Sequence, residues 1–101
     1  MHFEQINRTT KGFFKAVVEG KEAGRISYKW EECDGVEKMV VEHTDVNEEF
    51  KGQGIGKKLV MHVVEHAREN KIKIVAVCEF AKSVFERVPE IRDVLFEDNK
   101  K

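Results

Sequence analysis

The feature that most constrains the fold is a change of hydrophobic period across a glycine-rich loop, Lys51-Gly52-Gln53-Gly54-Ile55-Gly56. Before the loop, apolar residues alternate. In Ala23-Gly24-Arg25-Ile26-Ser27-Tyr28-Lys29-Trp30, Ile26, Tyr28 and Trp30 share one face of a strand and Arg25, Ser27 and Lys29 the other. After the loop, Ile55, Leu59, Val60, Val63, Val64 and Ala67 fall on one face of a 3.6-residue helix that runs from Gly54 to Asn70. Lys57, Lys58, Glu65, Arg68 and Glu69 take the opposite face. Ile72 to Cys78 is then a short, nearly continuous apolar run, the kind of strand buried in a sheet interior. Strand, loop, helix, strand makes a β-α-β unit with its two strands roughly parallel.

The rest of the chain leads into that unit. Gly12 to Val18 is aromatic and β-branched and closes at Glu19-Gly20-Lys21, so it pairs as a hairpin with Ala23 to Trp30. Cys33-Asp34-Gly35 is a second turn, and Val36 to about Asp45 a further strand. Phe3 to Asn7 adds a short first strand. Ala81 to Val88 reads as a second helix that Pro89 ends. Ile91, Val94, Leu95 and Phe96 form one more turn or short helix, and Asp98 to Lys101 a frayed tail. Antiparallel strands followed by a β-α-β unit define an α+β fold on a mixed sheet, in a single domain over 1–101.

Composition narrows the class. At 37% charged and 41% hydrophobic residues the chain is globular rather than disordered. A net charge of -1 argues against a nucleic-acid partner, which calls for a basic excess. Cys33 and Cys78 are too few for a disulfide framework and form no CxxC pair, so reduced thiols are expected. The start, Met1-His2-Phe3-Glu4-Gln5, does not read as a signal peptide, and no apolar run approaches the ~20 residues that span a bilayer. A cytoplasmic protein with no membrane partner is the expectation.

Glycines at alternate positions of a strand-to-helix turn have a physical purpose. They let backbone amides approach an anion closely, where the helix also presents unpaired N–H groups and a partial positive charge. The result is a phosphate site, to which Lys51, Lys57 and Lys58 add cationic charge. Two nucleotide loops are excluded by spacing. A dinucleotide-binding G-x-G-x-x-G places its third glycine one residue beyond Gly56. A P-loop has glycine where Lys51 stands and Ser or Thr where Lys58 stands. A glycine-rich turn with no ligand is the alternative on spacing alone.

Lys51 to Gly56 resembles the coenzyme-A pyrophosphate loop of the GNAT acetyltransferase superfamily, Gln/Arg-x-x-Gly-x-Gly/Ala, with Gly54 and Gly56 in the two small positions and Lys51 departing from the first. His43-Thr44-Asp45-Val46, Leu59-Val60, Ala67-Arg68 and Cys78-x-Phe80, with Gly24 and Tyr28 upstream, resemble the short YjdJ-type branch over roughly Gly12 to Asp93. Late departures are the absence of a proline beside Cys78, and Val88-Pro89-Glu90-Ile91 where the branch has His-Pro-Glu-Tyr. The resemblance implies that acetyl-CoA lies in a V between two splayed parallel strands. Thr44, Asp45 and Val46 would offer backbone groups to the pantetheine arm. Lys51, Gly52, Gln53, Gly54, Ile55, Gly56 and Lys57 would take the pyrophosphate, and Phe80 would border the coenzyme. It also implies the absence of the C-terminal strands that build an acceptor pocket in larger relatives.

The acceptor side is open to two readings. Cys78, at the C-terminal end of its strand, is where an open sheet binds ligands, and as a thiolate it can accept an acetyl group. That demands a stabilising helix N-terminus (Ala81 onward) or a base, for which His43 is the candidate. Otherwise Cys78 is a small buried hydrophobe and His43 a polar residue filling the strand. The resemblance places this Cys near the acetyl group. In the rival mechanism an amine attacks acetyl-CoA directly. Larger GNAT enzymes often supply a Tyr on the second helix as the acid, but this chain has Phe85 there and only Tyr28 elsewhere. Lys82 and Ser83 either reach the coenzyme's phosphates or adenine, or belong to a solvated face. His62-Val63-Val64-Glu65-His66 spells a zinc-peptidase string, but its Glu falls on the outer helix face and a chain of this size committed to a β-α-β unit has little space for a peptidase cleft, so no metal is expected. Two functions emerge: an N-acetyltransferase acting on an unidentified amine acceptor, or a non-catalytic acetyl-CoA-binding module.

Overall fold

Alternation in the N-terminal half and helical period after the glycine loop produce the expected order of elements. The computed structural model describes residues 1–33 and 35–96; the tail expected at 98–101 and Asp34 of the second turn lie outside them. Strands β1 (His2–Asn7), β2 (Lys11–Val18), β3 (Lys21–Cys33) and β4 (Val36–Val46) precede helix α1 (Ile55–Asn70), strand β5 (Lys73–Ala76) and helix α2 (Glu79–Arg87). A 3-10 turn at Glu48–Phe50 precedes the glycine loop, and another, Pro89–Val94, comes after α2. The described strands form one sheet ordered β1-β2-β3-β4-β5, antiparallel throughout except for the parallel β4–β5 pair.

The inner face of the sheet carries the core. Phe14 and Ala16 of β2, Ile26 and Tyr28 of β3, Met39 and Val41 of β4 and Ile74 of β5 are buried with Ile55, Leu59, Val60, Val63 and Val64 of α1 and Val84 and Phe85 of α2. Each Val, Leu, Ile, Phe or Met among them contributes roughly 1.5–3 kcal/mol by leaving water. α1 ends where Lys71 turns left-handed (φ 57°) and Ile72 N–H bonds Ala67 C=O at 2.9 Å. His62 and His66 of α1 are half-buried beside aromatic rings: His62 stacks on Phe3 at 4.2 Å between centroids, and His66 meets Phe14 edge-on at 5.2 Å. They seal the α1–β1 seam, and no group of three or more potential ligands gathers among the described residues.

The last strand differs from its sequence reading. Ile72 to Cys78 reads as an interior strand, yet β5 is four residues long and forms the edge of the sheet among the described residues. Pairing stops at Val41–Ala76, because Val77 and Cys78 both turn their N–H groups onto the single C=O of Val41, at 3.0 and 3.1 Å. Val77 is left 53% exposed. Past β5, Leu95 bridges Ile74 in parallel and Phe96 N–H bonds Ile74 C=O at 2.8 Å, which partly covers the edge.

Candidate functional site

The site begins with a parity change in β4. Tyr28 pairs with Val41 but Ser27 pairs with His43, so Glu42 is one residue too many for its partner strand. Strand side chains alternate, so the extra residue swaps the faces beyond it. Thr44, opposite Ile26, and Val46, opposite Gly24, turn to the inner face, whereas His43 and Asp45 turn outward and are 67% and 66% exposed. The same point is where β5 parts from β4. Two parallel strands therefore diverge with Thr44 on the inside of the gap and Cys78 at its far edge.

Cys78 is the N-terminal cap residue of α2, which starts two residues earlier than Ala81. Its Sγ lies 3.5 Å from Thr44 Oγ1. His43 instead lies 3.5 Å from Asp45, Nε2 to Oδ2, on the outer face. The fold thus brings Cys78 to Thr44 and sets His43 on the other side of the strand. Tyr28 is engaged elsewhere: its buried hydroxyl accepts from Gln5 Nε2 at 2.9 Å and donates to Asn7 Oδ1 at 3.1 Å. Burial raises its pKa above the ordinary phenol value.

The glycine loop completes the inner side. Asn47 caps the 3-10 turn by accepting from Glu49 N–H at 3.2 Å, and Phe50 is buried beneath it. Gly52 and Gly54 then take φ of 87° and 75°, the left-handed region that side chains with a Cβ avoid. Lys51 N–H bonds Glu48 C=O and Lys58 N–H bonds Gly54 C=O. The six amides between them, Gly52 to Lys57, have no acceptor among the described residues, and no side chain caps α1. All of these residues but Gln53 line a cavity of about 430 Å³, together with Val46, Phe50, Lys51, Phe80 and Arg87. The Phe80 ring lies directly on Gly56, where a Cβ would stand 2.7 Å from its Cζ.

Val46, Lys51, Gly52, Gly54, Ile55, Gly56, Lys57 and Phe80 therefore meet in one cavity. Gln53 is exposed at the loop tip. Asp45 lines a separate cavity of about 310 Å³ with Glu22, Arg25 and Asn47. There Arg25, bonded to Glu22 at 2.7 and 2.9 Å, holds that carboxyl below its ordinary pKa. Lys82 lines a third cavity with Phe85, Arg92 and Phe96. Ser83 donates to Phe80 C=O at 2.8 Å, a bond within its own helix. Phe50 and Arg87 are the additions. Phe50 had a signal in the Asn47-Glu48-Glu49 capping pattern, and Arg87 had none beyond its charge.

A parallel strand pair that splays beside a glycine-lined helix N-terminus is the architecture of this α+β domain. Residues 13–94 match the family model described as GCN5-related N-acetyl-transferase. The chain belongs to that family of N-acetyltransferases; the narrower YjdJ-type likeness remains a resemblance. It is 35% identical to a GCN5-like candidate N-acetyltransferase from Staphylococcus aureus, covering 95% of this chain and 92% of that one at a TM-score of 0.65. The ribosomal-protein-alanine N-acetyltransferase of Brucella melitensis superposes at a TM-score of 0.72 and 19% identity, over 93% of this chain and 67% of that one. An aminoglycoside acetyltransferase from an uncultured soil sample, solved with sisomicin, superposes at 0.65 and 17% identity, over 94% and 65% of the two chains. These last two identities speak for the fold alone. No curated protein matches the sequence.

Proposed function

We propose that this chain transfers the acetyl group of acetyl-CoA to an amine, with the coenzyme's pyrophosphate held by the amides of Gly52 to Lys57. One observation carries the reading: the six successive N–H groups of Gly52 to Lys57 lack a protein acceptor among the described residues, and all of these residues but Gln53 line one cavity together with Lys51. Such an arrangement stabilises a dianionic bridge through charge-assisted hydrogen bonds and the helix dipole. Val46 and Thr44 border the arm that leads to Cys78. The relatives whose names state an acceptor act on a ribosomal-protein alanine or on an aminoglycoside, so the acceptor class here is an exposed amine on a protein or a small molecule. No helix among the described residues is long and apolar enough to cross a membrane. The cytoplasm is the compartment we assign, because a mechanism through the free Cys78 thiol needs reducing surroundings.

In this reading Cys78 carries the acetyl group. Its thiolate adds to the thioester carbonyl, the carbonyl-to-CoA sulfur bond breaks, and CoA departs as the thiol after taking up a proton. The amine then attacks the acetylated Cys78, loses a proton and restores the thiol. Intact-mass measurement after incubation with acetyl-CoA is expected to show an acetyl adduct that Cys78→Ala lacks. Unmodified wild type with normal turnover disposes of the two-step route. Calorimetric titration with acetyl-CoA tests the reading as a whole, and absence of binding refutes it.

A binding module without turnover is the second reading. The outward position of His43 and the engaged hydroxyl of Tyr28 favour it, since neither reaches Cys78 as a base or acid. Tight binding with no CoA release across an amine and peptide panel would select it.

A further inference from the structure

Arg87 enters the cavity from a different element than the loop, and the pyrophosphate does not account for it. Phe80 and Arg87 are seven residues apart on α2, two turns, so they share one stripe of that helix, and both line the cavity. Phe80 sits on Gly56. Seven residues of helical rise carry Arg87 about 10 Å farther along α2. The guanidiniums elsewhere on this side of the fold are spent on structure. Arg68 grips Asp93 at 2.6 and 3.1 Å and Glu90 C=O at 2.9 Å. Arg92 donates to Phe85 C=O at 2.7 Å and Glu86 C=O at 2.8 Å. Arg87 is exposed and its guanidinium has no acceptor among the described residues, yet it borders the loop.

One glycine loop and helix N-terminus suits the two phosphoryl groups of a pyrophosphate. A planar fork that borders the same cavity from α2, about 10 Å of helical rise beyond Phe80, suits a third phosphoryl group, which it can grip with two parallel N–H bonds. Coenzyme A carries such a group on the 3′ oxygen of its ribose. We propose that Arg87 reads this 3′-phosphate and makes the site selective for the triphosphorylated coenzyme over its 3′-dephospho form. The proposal rests on the coenzyme reading above.

Titration of the full chain with CoA and with dephospho-CoA, at two salt concentrations, tests it. Wild type is expected to bind CoA about tenfold more tightly than dephospho-CoA, in keeping with one charge-assisted bidentate contact. Arg87→Ala is expected to lose that factor for CoA, to leave dephospho-CoA unchanged, and to flatten the salt dependence of CoA binding. Arg87→Lys keeps the charge without the fork and should retain part of the preference. Arg87 is exposed, so these variants fold, and Arg87→Gln keeps the apolar stem as a control. Equal weakening of both coenzymes, or no change in either, overturns the proposal while leaving the coenzyme reading intact. Wild type binding neither coenzyme overturns both.

Discussion

Two glycines are held by aromatic residues rather than by backbone conformation. At Gly56 the obstacle to a side chain is the Phe80 ring, the far end of a side chain that is 40% exposed and free to swing. Gly56→Ala should therefore cost under about 1 kcal/mol, and that cost should vanish in a Phe80→Ala background. A double-mutant cycle by urea denaturation checks this, and additive single effects would show that the ring and Gly56 do not compete for space. At Gly12 the obstacle is fixed. A Cβ there would stand 2.7 Å from the Tyr28 hydroxyl and press on the Ile6 carbonyl. Neither can give, because Tyr28 is tied to Gln5 and Asn7, and Trp30 Nε1 donates to the same Asn7 oxygen at 2.8 Å. Gly12→Ala should cost about 1–3 kcal/mol. A melting temperature indistinguishable from that of wild type would contradict that fixed packing.

At the scale of elements, α2 is short and depends on the segment C-terminal to it. Its nine residues cannot stand as an isolated helix, so tertiary contacts hold them. Arg92 supplies two, by folding back to donate to the last carbonyls of α2. Arg92→Ala should destabilise the domain by about 1 kcal/mol and loosen α2 more than α1. Hydrogen exchange should show faster exchange at Val84, Phe85 and Val88 with α1 unchanged; a uniform effect would mean that Arg92 stabilises the whole fold instead. Legibility in the sequence obeys the same division between local and distant. The strands, α1 and the loop were readable because period, capping and glycine spacing act within a few residues. The edge position of β5 was not, since Ile72 to Cys78 is equally apolar in an interior strand and in one covered by Leu95 and Phe96. The bulge at Glu42 was not, and it alone decides that Thr44 rather than His43 meets Cys78. Arg87 became a site residue only once α2 was laid beside the loop.

For the molecule as a whole, the two ends of the sheet divide the work. The β4–β5 end opens toward the glycine-loop cavity, and the β1–β2 end is closed on α1 by rings. Phe3 and Phe14 hold His62 between them, at 4.2 Å stacked and 5.1 Å edge-on. Burial there lowers the His62 pKa, and the neighbouring charge of His66 lowers it further, against smaller opposing effects of Glu65 and Glu69. The unfolded chain then protonates His62 near its ordinary value of about 6.5, where the folded chain still resists. More protons are bound by the unfolded state, so stability rises with pH in this window. The contribution is complete above the unfolded value and is lost as pH falls through the lower folded one. Carboxylates held low by partners, such as Glu22 by Arg25, act in a separate and more acidic window, below about 4.5. His62→Phe keeps a ring in the seam and removes the proton site. Its stability relative to wild type should therefore improve from about pH 7.5 to about pH 5, with the slope of wild type flattened between those values. Denaturant melts at half-unit steps read both quantities. Parallel curves for the two proteins would mean that His62 binds its proton equally well folded and unfolded, and that the seam is open to water.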